Sequence, residues 1–439
     1  MLTSRYPSYL PHVLGTFVAI GVLSLAPQLH AAPGDLTPGD LTPGNASTTP
    51  AAPAAPASTL TTYSAAEILG LKPSLDSLNL KVYGWIENSY TYNTHSPIDH
   101  NNQARVFDTK DGYRLNQLAF NIERPVSADP KAFDLGGKIE AMYGQDAALI
   151  HSQYLFGNTD TTWQNSTGNL LDNKQFDPTV FYLQANLPVG NGLLVTVGKW
   201  ATPLGFEVID APSNALFSRG LLFGYAIPFT HTGIKFDYSF NDNFSMYYAL
   251  AFGWDTFGDN NGNLSNLLGA TWKITDKLTW INNFIIGPEQ TKDSNNYRTV
   301  YDTILTLQVC DPLAVSLNVD WGNESGPNLN GGAGEAAGNN WYGVAGYITY
   351  TFNEQLSTTL RAEYFRDETG SRLGTFPVAP DLVSLTYGFT IKPVKEFANL
   401  ILRPEVRWDH SLGDALFDPN AVNGRKDQVT FSIDVIVTF

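Results

Sequence analysis

Cysteine is almost absent from this 439-residue chain, and Cys310 stands alone. A single Cys excludes an internal disulfide framework, and it excludes a thiolate metal site, which needs several sulfur ligands. Basic side chains are scarce as well: 26 Lys and Arg stand against 42 Asp and Glu, a net charge of −16. Nucleic acid wants clustered Lys and Arg, so it is not an expected partner. Long apolar runs are also few. Only Val13 to Ala26 comes near one, and it is shorter than the about 20 residues of a membrane-spanning helix. Helical spans are therefore not expected. A transmembrane β-barrel is not excluded, because alternating strands average to moderate hydropathy. Catalytic signatures are missing too. The seven His (His12, His30, His95, His100, His151, His231 and His410) form no HExxH, and neither a P-loop nor a Gly-x-Ser-x-Gly elbow occurs. His231 finds no convincing Ser partner for a nucleophilic pair. No enzyme, cofactor or metal is expected.

The first residues support export. Arg5 precedes the apolar run, and small residues follow at Ala31 and Ala32. That is the layout of a secretory signal peptide over residues 1–31, cleaved after Ala31. Its removal takes away one Arg and no acid, leaving 25 basic against 42 acidic side chains, or −17. Residues 32–77 read as a periplasmic tether rich in Pro, Thr and Ala, with a short duplication from Leu36 to Asn45. Such a composition buries too little apolar surface to order itself. Within it Ser64 and Glu67 match a capping box, predicting a short helix through Leu71 that Pro73 stops and that packs on the rim of the next domain.

From about residue 78 to 439 the texture changes to short alternating segments. Sixteen strands are predicted, at 79–92, 113–125, 134–148, 177–187, 192–201, 229–240, 243–254, 264–273, 276–287, 297–309, 312–322, 340–352, 355–366, 382–393, 396–409 and 428–439. An even count lets the chain enter and leave on one side. The connections alternate long and short. The short ones are built from turn residues such as Gly190-Asn191-Gly192, Asn241-Asp242-Asn243 and Asp311-Pro312. The long ones, around 149–176, 202–228, 323–339 and 410–427, are Gly- and Asn-rich. Short periplasmic turns opposite long extracellular loops belong to outer-membrane barrels, and loops this long count against a compact soluble fold.

The faces agree. Leu400, Leu402, Val406 and Trp408 alternate with Arg403, Glu405, Arg407 and Asp409. Leu356, Leu360, Ala362 and Tyr364 alternate with Ser357, Thr359, Arg361 and Glu363. An apolar face opposite charges of both signs suits lipid outside and a water-filled lumen inside. Trp200, Trp254, Trp321, Trp341 and Trp408 fall at strand ends, and Trp272 and Trp280 flank a short turn, where girdles sit. The last strand, VTFSIDVIVTF, puts Phe431, Ile433, Val435, Val437 and Phe439 on one face. It reads as a signal for the barrel-assembly machinery, closing on the first strand near Lys81 to Ser89 and removing an edge that a membrane cannot tolerate.

The stretch from Val197 to Phe240, VGKWATPLGFEVIDAPSNALFSRGLLFGYAIPFTHTGIKFDYSF, carries a Gly-Lys strand end, Leu-Gly-Phe-Glu, a downstream Asn, Ser-Arg and a His-Thr-Gly strand. With FYLQANLPVGNGLLVTVGK before it and FGWDTFGDNNGNLSNLLG after it, this resembles the OmpL-like family of outer-membrane β-barrel porins. The resemblance covers roughly 79–439 and is clearest over 177–273. It implies an outer-membrane channel and assigns no solute.

In many sixteen-stranded porins the third loop folds into the lumen. Here that loop, 202–228, carries Glu207, Asp210 and Arg219, with Leu221, Leu222 and Phe223 able to pack on an inner wall. Arg361, Arg403 and Arg407 form a basic ladder on two strands. Acids facing that ladder across a narrow gap would set up a transverse field that selects charged or dipolar solutes. Alternatively Glu363 and Glu405 simply pair with these arginines. Neutralising the three arginines is expected to raise cation preference. Asp255, Asp259, Asn261 and Asn263 have oxygen spacing that could hold Ca²⁺, but a Gly/Asn/Asp-rich turn is the simpler reading.

The expected fold is all-β, a transmembrane antiparallel barrel of about 16 strands, placed in the cell outer membrane in contact with its lipid. The expected function is passive diffusion of small hydrophilic solutes or ions through a lumen narrowed by loop 202–228. Two other readings stay open: a substrate-selective channel for sugar or another nutrient, and a barrel serving mainly as an envelope anchor. Aromatic tracks would favour sugar, with Tyr247 and Tyr347 as candidates. A homotrimer is one open assembly state.

Overall fold

The computed structural model describes residues 64–95, 100–157, 175–326, 339–373, 381–417 and 424–439. The signal-peptide run, the tether before Ser64 and parts of five loops lie outside the described residues.

Sixteen strands follow in chain order. They are β1 (Lys81–Asn93), β2 (Gly112–Arg124), β3 (Asp134–Gly144), β4 (Gln175–Leu187), β5 (Leu193–Ala201) and β6 (Thr230–Asn241). Next come β7 (Phe244–Ala251), β8 (Ser265–Thr275), β9 (Leu278–Pro288), β10 (Tyr297–Cys310) and β11 (Leu313–Glu324). The last five are β12 (Asn339–Asn353), β13 (Leu356–Asp367), β14 (Asp381–Ile391), β15 (Leu400–Ser411) and β16 (Asp427–Thr438). Each pairs antiparallel with its chain neighbours, and β1 pairs with β16, so the sheet is a closed barrel. Closure satisfies every edge, which is the condition for backbone in a hydrocarbon layer.

The closing seam runs further along β1 than the sequence suggests. Trp85 to Asn93 pair with Thr438 to Thr430. Gly84 and Phe439 exchange both backbone hydrogen bonds, each at 2.9 Å. The Phe439 ring lies over Gly84, where an added Cβ would meet ring carbons at 2.7 Å. The missing side chain at position 84 is thus filled by the aromatic opposite.

Connections sort by length as expected, with two-residue turns after β6, β8, β10 and β12. The exposure pattern separates the faces. Phe431, Ile433, Leu385, Tyr387, Leu317 and Ile348 are exposed on the outside, whereas Glu87, Glu140, Asp320, Arg361, Arg403 and Asp434 are buried inside. The outer face is an apolar band and the interior is charged, which is the pattern of a lipid-facing barrel with a polar lumen.

The tryptophans divide. Trp272, Trp280, Trp321 and Trp408 are exposed on the outside. Trp200, Trp254 and Trp341 are not girdle residues: they are buried, and the Trp341 indole donates to the Ala226 carbonyl at 3.1 Å.

Two short helices precede the barrel, α1 (Ala65–Ile68) and α2 (Lys72–Ser77). The capping box is formed: the Glu67 amide donates to Ser64 Oγ at 3.1 Å, and the Ser64 amide donates to the Glu67 carboxylate at 3.0 Å. Pro73 does not stop a single helix. It sits in the first turn of α2, where its missing N–H costs nothing. Strand β3 also ends earlier than its alternation suggests. At Gly144 (φ 151°) the chain turns inward into a third helix, α3 (Gln145–Leu149). A Cβ at Gly144 would lie 2.1 Å from the Asn116 carbonyl oxygen, so only Gly fits that turn.

Candidate functional site: the third loop and the lumen chamber

Residues 202–229 join β5 to β6 and fold into the barrel. Their shape is fixed from within. The Arg219 guanidinium donates to the carbonyls of Val208 (2.9 Å), Ile209 (2.8 Å) and Phe217 (2.8 Å). The Asn214 amide donates to the Val208 and Asp210 carbonyls and accepts from the Val208 amide. Arg219 is therefore a staple inside the loop, not a charge presented to solute.

The loop is then tied to one wall. Arg361 on β13 reaches Glu207 at 2.5 Å, the Ser218 carbonyl at 2.6 Å and Glu363 at 3.0 Å. Glu363 accepts from the Leu221 amide at 2.8 Å, and Glu405 accepts from the Ser218 amide at 3.1 Å. Gly220 lets the backbone come this close, since a Cβ there would lie 2.3 Å from the Glu363 carboxylate. Arg403 on β15 donates to the Ala211 carbonyl at 2.8 Å and pairs with Glu87 and Asp434. Arg407 donates to the Arg219 carbonyl at 2.7 Å and pairs with Asp409 at 2.8 Å. The sequence pairing of arginines with their near neighbours thus holds for Arg361 with Glu363. Arg403 and Arg407 choose Asp434 and Asp409 instead of Glu405.

Beyond Gly220 the loop is apolar. Leu221, Leu222 and Phe223 are buried with Phe107, Phe229, Trp254 and Trp341 in one hydrophobic cluster. Phe223 and Phe229 pack at 5.3 Å between ring centroids, tilted by 43°. Tyr347 packs on Phe206 at 4.4 Å, and the Tyr247 hydroxyl donates to Asn283 at 2.9 Å. Both tyrosines are interior packing residues. Asn283 in turn donates to the Pro203 carbonyl at 3.0 Å, and Asn318 accepts from the Phe206 amide at 3.1 Å. The loop therefore crosses the lumen from β9 and β11 to β13 and β15.

Glu207 and the arginine ladder meet in direct contact, with no water-filled gap between them. Asp210 is on the other side of the loop. It faces Lys138 and Glu140 on β3. Burial pushes its carboxyl above the ordinary Asp range, against the pull of Lys138 and Arg219. Beside it is a chamber of about 810 Å³. Val208, Asp210 and Ser213 of the loop form one side of the chamber, and Lys138, Glu140, Tyr182, Gln184 and Thr196 of β3–β5 form the other. Its lower rim is made by Asn399, Thr438 and Phe439 with Ser64, Glu67 and Lys72 of the helical segment.

Sequence reasoning did not single out Lys138, Glu140 or the first-loop Arg105. Arg105 folds inward to pair with Asp108 and with Asp409 at 2.6 Å, adding a fourth arginine to the ladder. Only alternation parity marks Lys138 and Glu140 as inward, and nothing local marks Arg105. The supposed calcium cluster is divided. Asp255 is a half-buried acceptor for the Phe229 and Thr230 amides, and Asp259 accepts from Asn261 and Gly262 within an exposed turn. His231 is buried at 3.1 Å from the Thr202 hydroxyl.

The comparisons agree with this architecture. The sequence model of the family described as "Putative beta-barrel porin-2, OmpL-like" matches residues 79–439. No curated protein matches the chain. Among solved structures, OmpT of Vibrio cholerae in a trimer form is similar at TM-score 0.53 and 10% identity, covering 82% of this chain and 99% of that one. An anion-selective porin from Comamonas acidovorans is similar at TM-score 0.52 and 10% identity, with 82% and 99% covered. The outer-membrane channel DcaP of Acinetobacter baumannii is similar at TM-score 0.51 and 13% identity, with 82% and 97% covered. At such identities the likeness speaks for the fold.

Proposed function

The chain belongs to the OmpL-like β-barrel porin family of the outer membrane, and from that premise we propose that it passes small hydrophilic solutes and ions by passive diffusion. The path runs beside the third loop, through the chamber between Asp210 and the β3–β5 wall. The observation that carries this reading is the asymmetry of the loop. Its arginine side is sealed by Arg361, Arg403 and Arg407, and its Asp210 side faces an open space of about 810 Å³.

The local electrostatics favour cations weakly. Asp210 and Glu140 share one ammonium, Lys138, so the passage carries an excess carboxylate when both are ionised. Field in a narrow, partly dehydrated gap is less screened than in bulk water. Asp210→Asn is expected to lower the cation preference measured as a reversal potential in a KCl gradient. Because burial raises the Asp210 pKa, its charge is lost at a higher pH than that of an exposed Asp. Cation preference should therefore fall as pH is lowered from neutrality, and the Asn variant should flatten that part of the curve. An unchanged profile in the variant would place the charge selection elsewhere.

The helical segment 64–78 forms part of the chamber's lower rim and buries Ala66 against the barrel. Removing it is expected to raise single-channel conductance by a fraction rather than a multiple, since the loop remains the narrowest barrier. The chain has no expected catalytic role, and the solutes need no cofactor. A trimer is proposed as the working assembly. Its support is that one similar porin is a trimer, and cross-linking followed by mass measurement in detergent tests it.

A further inference from the structure

The outer face of the barrel has a gap at the end that carries the short turns. Arg124, the last residue of β2, stands directly across from Gly137 on β3, and Gly137 stands across from Leu183 on β4. Residues opposite one another in a ladder point to the same face, so these three share the outer face in one row. The row has a guanidinium on one side, a protruding leucine on the other and no side chain between them. The result is a groove of about 590 Å³, walled by Ile122, Leu135, Ile139 and Leu183. Its walls are accessible: Leu183, Leu135 and Ile139 are 75%, 57% and 56% exposed. The gap is built into the backbone, because a Cβ at Gly137 would lie 2.5 Å from the Tyr182 carbonyl oxygen.

The groove ends on an ion pair. Arg124 reaches Asp134 at 3.0 Å and also donates to the Leu135 carbonyl. Asp134 is itself held by the Ser127 amide at 2.8 Å and the Leu135 amide at 2.9 Å. Both side chains keep accessible surface, 40% for Arg124 and 21% for Asp134. A guanidinium has N–H donors beyond those used here. The pair is therefore fixed in place and open on its outer side. It lies at the end of the barrel where Trp272, Trp280 and Phe240 are exposed beside short turns. Exposed aromatic rings at strand ends mark the headgroup layer.

The outer face of a barrel in the outer membrane is covered by lipid, and the headgroup layer is where a lipid carries its charge. An acyl chain gains little transfer energy by leaving bulk lipid for the groove, since lipid tails are as apolar as leucine. Filling the gap adds only dispersion contacts. Preference for one lipid over another must therefore come from the headgroup. An unpaired cation would suit an anionic headgroup. A fixed pair of opposite charges suits a headgroup that carries both signs, with its phosphate on the guanidinium and its ammonium on the carboxylate. That second contact needs an ammonium with N–H donors.

We propose that the groove at Gly137 is a binding site for one aminophospholipid of the phosphatidylethanolamine class. One acyl chain lies along Ile122, Ile139 and Leu183, the phosphate on Arg124 and the ammonium on Asp134. The site is on the lipid face and does not depend on the path taken by solutes.

The test is native mass spectrometry of the full chain in detergent, with dioleoyl phosphatidylethanolamine, phosphatidylglycerol and phosphatidylcholine added one at a time. The expected result is a single phosphatidylethanolamine that stays bound at collision energies that strip the other two. Arg124→Gln, checked for the heat-dependent mobility of a folded barrel, should lose that preference. Leu183→Ala should lower the retained fraction severalfold. Equal retention of the three lipids, or stronger retention of phosphatidylglycerol, would overturn the site. A second copy of the chain is the other candidate cover. If the two variants turn an oligomer into monomers while lipid retention stays parental, the groove is a subunit contact and the proposal falls. Should either variant fail to fold, the headgroup comparison on the parent chain decides by itself.

Discussion

Replacing Arg361 with Gln is expected to loosen the third loop while the barrel stays closed. Arg361 is fully buried and holds Glu207, Glu363 and the Ser218 carbonyl together. Removing its charge strands two buried carboxylates and frees a carbonyl. Breaking a buried ion pair from one side costs about 3–5 kcal/mol, because the remaining charge has lost its partner without regaining water. The strand ladders on either side do not depend on the guanidinium, since β13 pairs with β12 and β14 through backbone. The predicted phenotype is thus a heat-modifiable barrel with noisier, larger single-channel currents and a stronger cation preference. The triple variant Arg361→Met, Glu207→Met, Glu363→Met should be much milder than Arg361→Gln in loop stability, because it leaves no orphan charge. If Arg361→Gln conducts like the parent with an unchanged reversal potential, the loop does not need this anchor.

Excising the loop should have the larger effect on flow. Replacing residues 204–226 with a short Gly-Ser linker removes Glu207, Asp210 and Arg219 together with the apolar cluster of Leu221, Leu222 and Phe223. A sixteen-stranded barrel without internal filling encloses an aqueous channel. Conductance should rise severalfold, and selectivity should then follow the exposed wall arginines Arg361, Arg403 and Arg407 rather than Asp210. The variant must still show the heat-dependent mobility of a folded barrel. A folded variant with parental conductance would mean that the loop does not limit the passage.

The fold was legible because two signals repeat sixteen times. Alternation gave each strand its two faces, and connection length gave each end of the barrel its identity. Strand ends were less legible. The predicted third strand runs on to residue 148, yet beyond Gly144 the glycine backbone turns Gln145–Leu149 into a helix inside the barrel. Trp254 lies past the end of β7 at Ala251, so parity says nothing about where its ring points. Arg298 at the start of β10 and Arg372 in the loop after β13 cover that ring at 4.6 and 4.7 Å, a contact assembled from segments distant in sequence.

The site was legible in its parts and not in its pairing. The presence of an acidic loop and a basic wall could be read from residue types and faces. The turn at Pro212 and the Asn214 hydrogen bonds decide that Glu207 points to Arg361 while Asp210 points to Lys138. No periodicity encodes that choice. Arg219 looked like a lumen charge because it lies in the loop, but its carbonyl partners are loop backbone. Long-range partners such as Arg105 with Asp409 are 304 residues apart and leave no local trace.

The central claim is that solute passes on the Asp210 side of the loop. Thr196 lines that chamber, and Cys310 at the β10–β11 turn is the chain's single thiol. A Thr196→Cys, Cys310→Ser variant reconstituted in planar bilayers and exposed to a cationic methanethiosulfonate reagent tests the path directly. The prediction is discrete channel openings before the reagent and a stepwise, irreversible loss of current after it, with no response in the Cys310→Ser parent. Openings that survive complete modification of residue 196 unchanged would contradict the path.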